Sequence, residues 1–281
     1  MISLNMPTDN AIDTFELCIS KVRNIGLKAR LTSISADIEN YADVYDDAAT
    51  NARLHTLVAH KHVGVVITKK EMGAVYTGRM AKKGQPGRVV YDRIMMIPDN
   101  EICPLCSQRT VGTLDHHLPK SSFPSLAVVP ANLIAACEDC NKAKLDKVSP
   151  KASRQSLHPY YDQVPDGEWL HAELTRTTPA KVKYSIPPPV GCDRVMGQRL
   201  DYHFSILKLA KLYRSHAGVE LVNQRVMLRG RLNRGGRGAV RAHLQEVLES
   251  YEAVNLNSWQ SALYRALVND DWYCDGGFDL T

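Results

Sequence analysis

Four short segments stand in order between residues 103 and 144: Cys103-Pro-Leu-Cys106, Leu114-Asp115-His116-His117-Leu118-Pro119-Lys120, Pro130-Ala131-Asn132-Leu133 and Cys137-Glu-Asp-Cys140-Asn141-Lys142-Ala143-Lys144. The first and the last each hold a Cys-x-x-Cys knuckle. With 7 cysteines in 281 residues, chance supplies only about 0.2 such pairs, so two of them are a signal. Two knuckles offer four thiolates to one tetrahedral Zn²⁺, and a site filled by four sulfurs keeps no open position for substrate. The expected zinc is structural. The odd cysteine count argues against a closed disulfide framework. Cys18, Cys192 and Cys274 stand alone and read as packed thiols.

The knuckles are 30 residues apart, from 107 to 136, more than a plain zinc ribbon needs. Val111 to His116 reads as a short strand, Ser125 to Val129 as its returning partner, and Glu138 to Leu145 as a helix. The chain between the strands, with Pro119, Ser121, Ser122 and Pro124, reads as loop. Asn141 near the helix start would then face the strand end that carries Asp115. Hydrolysis of a phosphodiester needs an activated water, a cation for the developing charge, and a scaffold aligning both with phosphorus. An imidazole titrates near working pH, which suits His116 to the role of general base. Asp115 and Asn141 offer hard oxygens, suited to Mg²⁺ or Mn²⁺ rather than to the zinc held by sulfur.

In these segments the chain resembles the HNH endonuclease family in its zinc-stapled ββα-metal form. The resemblance covers about 103 to 147. The sequence Arg88-x-x-Tyr91-Asp92 upstream and Leu157-His158-Pro159-Tyr160-Tyr161-Asp162 downstream look like a bacterial subgroup of that family. Members of that kind resemble the nuclease subunits of antiphage systems such as Septu, which work beside an ATPase. The resemblance implies that Asn132 tethers the long loop by its amide and keeps the base oriented. Asn141 stands where many members have His, an HNN variant that shifts the expected metal toward Mg²⁺. In some members with paired histidines the first binds metal and the second is the base. Because Asp115 already supplies a metal ligand, the base is placed on His116, with His117 as the alternative. Lys120, Lys142 and Lys144 are candidate DNA contacts.

The rest of the chain frames this module. Ile12, Phe15, Ile19 and Val22 recur at helical spacing, as do Leu31, Ile34, Ile38 and Tyr41. The basic turn Lys82-Lys83-Gly84-Gln85-Pro86-Gly87-Arg88 leads into the module and could touch phosphates. Trp169 to Leu174 and Lys181 to Ile186 read as strands around the turn Thr177-Thr178-Pro179, and Pro187-Pro188-Pro189 stiffens the passage to a helical region. There Ile206, Leu209, Ala210 and Tyr213 form one apolar stripe, Val240, Leu244, Val247, Leu248 and Tyr251 a second, and Trp259, Ala262, Leu263, Ala266 and Leu267 a third.

Net charge is +5, unevenly spread. Residues 194–241 hold 11 basic and 2 acidic side chains, a net of +9, and residues 242–281 hold 7 acidic and 1 basic, a net of −6. Arg225, Arg229, Arg231, Arg234, Arg237 and Arg241, threaded with Gly230, Gly235, Gly236 and Gly238, read as a flexible loop for phosphate contact. Interleaved aromatics for base stacking are missing from it, as is a phosphate-loop motif for ATP.

The expectation is an α+β chain: a ββα-metal HNH core with Cys₄ zinc knuckles, embedded between helical N- and C-terminal regions. Its divisions are a helical region over 1–98, the nuclease module with a following strand over 99–175, a hairpin strand and Pro-rich linker over 176–193, and a basic helical region over 194–281. Function is expected to be metal-dependent cleavage of DNA, with Zn²⁺ as staple and Mg²⁺ or Mn²⁺ at the reaction. The alternatives are a non-catalytic zinc-stapled nucleic-acid-binding module and an interaction subunit active only with a partner ATPase. The densest apolar run, Val63 to Ile67, is too short for a membrane span. Asp9, Asp13 and Glu16 stand where a signal peptide would need a basic start and apolar middle, so a cytoplasmic protein is expected.

Overall fold

The structure, a computed structural model, describes residues 2–279 except 145, 147, 178 and 188–192. Pro188, Pro189 and Cys192 therefore lie outside the described residues, as does Thr178 of the expected turn. The chain divides into two compact units, residues 1–163 and 164–281. The N-terminal helices and the Cys-rich module thus share one unit, and the strand expected to close that module belongs to the other.

The first unit opens with α1 (Ala11–Ile19), α2 (Ile25–Thr32) and α3 (Ser35–Thr50). Asn10 and Asn24 cap α1 and α2, each taking a backbone N–H with its side-chain oxygen. The apolar stripe from Leu31 to Tyr41 crosses a break between α2 and α3, because Ile34 sits at the break and is still buried. A small hairpin, β1 (His62–Val63) with β2 (Ile67–Thr68), leads into α4 (Lys69–Val75). Thr68 and Glu71 form a reciprocal capping box there. The helix then widens into a π-turn over Tyr76–Met80, and after the basic turn α5 (Arg88–Met95) follows.

The Cys-rich module is built on β3 (Thr113–His116), β4 (Leu133–Ala136) and α6 (Glu138–Lys144). The two strands pair antiparallel with Asp115 opposite Ile134 and His116 opposite Leu133. The returning strand is therefore 133–136, not 125–129. Pro124 and Pro130 each open a short 3₁₀ turn, and proline supplies no N–H to a ladder, so the apolar run between them packs as buried loop. Phe15, Ile38, Tyr45, Ile67, Met72, Met80, Ile94, Leu114 and Leu133 share one core, so the N-terminal helices form the floor of the module.

In the second unit β5 (His171–Thr175) pairs antiparallel with β6 (Lys181–Ser185), and α7 (Arg194–Ile206), α8 (Leu209–Val254), α9 (Trp259–Val268) and α10 (Asp271–Cys274) follow. The Arg/Gly stretch is not a loop. It is part of the 46-residue α8, broken only at Gly236 with φ 64 and ψ −164. Leu228 before the break and Val240 and Leu244 after it are fully buried, and this burial holds Gly230, Gly235 and Gly238 in helix against their propensity. Asp279 pairs with Arg229, Asp275 with Arg237 at 3.4 Å, and Asp271 with Arg241. Much of the swing from +9 to −6 is thus complementary charge within this unit. Among the described residues no helix is long and apolar enough to cross a membrane.

Candidate active site and zinc centre

Cys103, Cys106, Cys137 and Cys140 are all buried, and their Sγ atoms lie within 4.8 Å of one another. Four sulfurs around one Zn²⁺ at 2.3 Å would sit about 3.8 Å apart, and Cys106 Sγ and Cys137 Sγ stand 4.0 Å apart. The backbone builds the cluster. Cys103 N–H donates to Arg109 O and Ser107 N–H to Cys103 O, which turns the first knuckle. The second follows β4 directly, where Gly112 N–H donates to Ala136 O and draws the knuckles together. Four buried thiols with no disulfide among them are a donor set that fits zinc. Among the described residues no other group of three or more His, Cys, Asp and Glu converges in this way.

At the other end of the hairpin stand Asp115, His116 and His117, all buried. His116 Nε2 lies 2.9 Å from Ala127 O. A carbonyl only accepts, so Nε2 carries the hydrogen and Nδ1 keeps a lone pair. Burial, then the charge of Lys120, pushes the imidazole down to about 3, and it is neutral at working pH. Its ring meets Tyr76 edge-on at 4.4 Å, and the Lys120 ammonium lies 5.2 Å over that same tyrosine. The π-turn of α4 thus delivers Tyr76 to the histidine.

Asn132 ties the loop. Its Oδ1 accepts from Leu118 N–H at 2.8 Å, and its Nδ2 donates to Leu118 O and Leu126 O. The three bonds fasten both ends of the 118–126 segment, leaving His116 and its acceptor Ala127 in register.

Asp115 faces Lys144, whose Nζ is 2.8 Å from Oδ2. That ammonium also donates to His116 O at 2.6 Å. Lys144 is thus shared between the Asp115 carboxylate and the His116 carbonyl. Burial pushes the Asp115 carboxyl up and Lys144 pulls it back. A buried carboxylate held by a single ammonium from α6, the helix that carries Asn141, offers hard oxygens of the kind a divalent cation takes. Lys144, expected as a DNA contact, is buried instead, whereas Lys142 is exposed and pairs with Glu138.

His117 follows the strand end, where its backbone N–H donates to Asn132 O at 2.8 Å. Its ring lies 4.1 Å from that of His158. His158 is held by Tyr45, whose hydroxyl is 2.8 Å from Nε2, and by Tyr160 N–H at Nδ1. Asp162 accepts from the His158 N–H. Tyr45, Tyr76 and the Asp115–Lys144 pairing escaped the sequence analysis. The tyrosines come from elements some 40 to 70 residues upstream and carry no motif of their own, whereas Lys144 carried a signal in its Cys-Asn-x-x-Lys setting.

Fold and site together define an α+β chain in which a four-cysteine cluster staples a hairpin bearing an Asp-His-His segment. The chain is similar to "Protein ea31" of Escherichia phage lambda, 27% identical over 241 residues, which is 81% of each chain. No model of a known protein family matches. No solved structure matches either.

Proposed function

We propose that the chain is a metal-dependent endonuclease of HNH type that hydrolyses phosphodiester bonds of DNA. The observation that carries this is the 2.9 Å contact between His116 Nε2 and Ala127 O: a carbonyl only accepts, so Nε2 donates and Nδ1 is left as the base, on the residue next to Asp115. A bound anionic phosphodiester beside the ring raises its proton affinity toward the working range. His116 then takes the proton from water, and Asn132 keeps the loop behind it fixed. Asp115 and Asn141 would hold Mg²⁺ or Mn²⁺, which supplies Lewis-acid stabilisation of the charge on phosphate and leaving oxygen. Lys144 fixes the carboxylate and the His116 carbonyl from α6.

Zn²⁺ on Cys103, Cys106, Cys137 and Cys140 would be the staple that sets the hairpin against that helix. In the second unit Arg229 and Arg237 are engaged by carboxylates, so phosphate contact falls first to Arg234, exposed and without an ion pair among the described residues, and to the half-buried Arg231. A supercoiled-plasmid assay with and without Mg²⁺ tests the proposal. Magnesium-dependent nicking or linearisation is expected, and binding without cleavage at any divalent metal would replace it with a zinc-stapled binding module. Cleavage appearing only on addition of an ATPase partner would make the chain a nuclease subunit of a defence system.

A further inference from the structure

The turn between α1 and α2 and the basic turn before α5 enclose a cleft of about 730 Å³. Its walls carry Lys21, Arg23 and Arg79 together with Asn24 and Gln85, and no carboxylate stands among the described residues lining it. Lys21 and Arg23 are exposed and, among the described residues, in no ion pair. Arg79 donates to Lys21 O at 3.2 Å and to Gln85 Oε1 at 3.4 Å, which spans the cleft from one wall to the other.

The walls are fastened together. A Cβ on Gly87 would lie 2.4 Å from Cys18 Sγ and 3.0 Å from Arg79 O, so only glycine lets the basic turn seat against α1. Arg88 closes the turn by donating to Ala81 O at 2.6 Å. Lys28 Nζ donates to Ser20 O and pins the other rim. Lys82 and Lys83 stand exposed on the same turn as Gln85. Three cations gathered on one concavity whose lining carries no carboxylate, with Arg79 held in place by Lys21 O and Gln85 Oε1, repel one another unless an anion joins them.

We infer that this cleft is a phosphate-binding site, with Lys21, Arg23 and Arg79 as its ligands. The π-turn links it to the hairpin, since Tyr76 at its first residue touches His116 and Arg79 at its fourth reaches the cleft. A strand whose phosphate rests here would be anchored to the element that packs on the base. Only this polymeric form of the ligand rests on the nuclease proposal.

The test compares the full chain with a Lys21→Ala/Arg23→Ala variant, zinc content and thermal unfolding being the check on fold. Anisotropy with a labelled duplex, without added divalent cation, is read from about 50 to 200 mM salt. Two lost contacts should flatten the slope of log K against log salt by roughly 1.8 and weaken low-salt binding about tenfold. A parallel calorimetric titration with inorganic pyrophosphate distinguishes the sources. Loss of duplex binding alone assigns the site to backbone phosphate, and loss of pyrophosphate binding assigns it to a small phosphate ligand. Unchanged duplex affinity, slope and pyrophosphate binding overturns the inference. A chain that binds but never cuts loses the nuclease and keeps the cleft.

Discussion

The ammonium of Lys144 stands 2.8 Å from Oδ2 of Asp115, each side chain 6% exposed, while it donates to the carbonyl of His116. One residue of α6 thereby neutralises the carboxylate next to the proposed base and clamps the strand that carries both. Removing the cation alone leaves a buried charge without its partner. Lys144→Met should therefore cost about 3–5 kcal/mol, and adding Asp115→Asn should recover much of it. Denaturant unfolding of the two singles and the double checks this, and additive losses would mean that the pair is not coupled.

The four-cysteine cluster, as the proposed zinc site, should behave as part of the fold. Cys137→Ser removes one of four candidate ligands from a cluster that closes a 38-residue span, 103 to 140. Metal binding of this kind is folding free energy, so the variant should lose zinc and gain protease sensitivity across 103–144. Elemental analysis finding less than one zinc per folded, protease-resistant wild-type chain would contradict the assignment.

Much of this module was legible because its chemistry is local. Knuckles at fixed spacing, a strand ending in Asp-His and a helix opening after Cys137 are all short-range signals. The second strand was misplaced because Ser125-Leu-Ala-Val-Val129 has a strand's composition, while the prolines on either side and the amide of Asn132 decide its conformation. Tyr76 on His116 could not be read, since nothing local ties residues 40 apart. The Arg/Gly stretch misled for the opposite reason. Glycine frequency suggested loop, but the buried leucines around it and the carboxylates of α10 and beyond are tertiary partners that override propensity.

Acid should weaken the protein through His116. Its folded imidazole titrates at about 3, below the ~6.5 of an unfolded histidine, so the unfolded chain binds the extra proton in between. Stability is full above the unfolded value and is lost as pH falls toward the folded one. Between pH 7 and pH 5 the loss from this residue should be about 2 kcal/mol. Thermal or denaturant unfolding at both pH values should show a smaller difference for His116→Gln than for wild type. Equal differences would place the acid sensitivity elsewhere.

The break in α8 depends on one backbone conformation. Gly236 has φ 64 and ψ −164, a region essentially reserved for glycine. Gly236→Ala should destabilise the second unit by about 1–3 kcal/mol, whereas Gly238→Ala, with no crowding at its Cβ position and no positive φ, should be neutral or stabilising. Circular dichroism melts of the two variants separate them, and equal melting temperatures would show the helix to be continuous.

Plasmid cleavage in Mg²⁺ by His116→Ala and His117→Ala chains reads out the proposed division of labour between the adjacent histidines. Both variants should keep zinc and duplex binding. With those retained, His116→Ala should cut about 10²–10⁴ slower than wild type and should not be rescued by more Mg²⁺, while His117→Ala stays within reach of wild type. A dead His117→Ala beside an active His116→Ala would transfer the base to the neighbouring ring. Wild-type cutting by both variants would place the reaction away from this hairpin and take the role of base from both histidines.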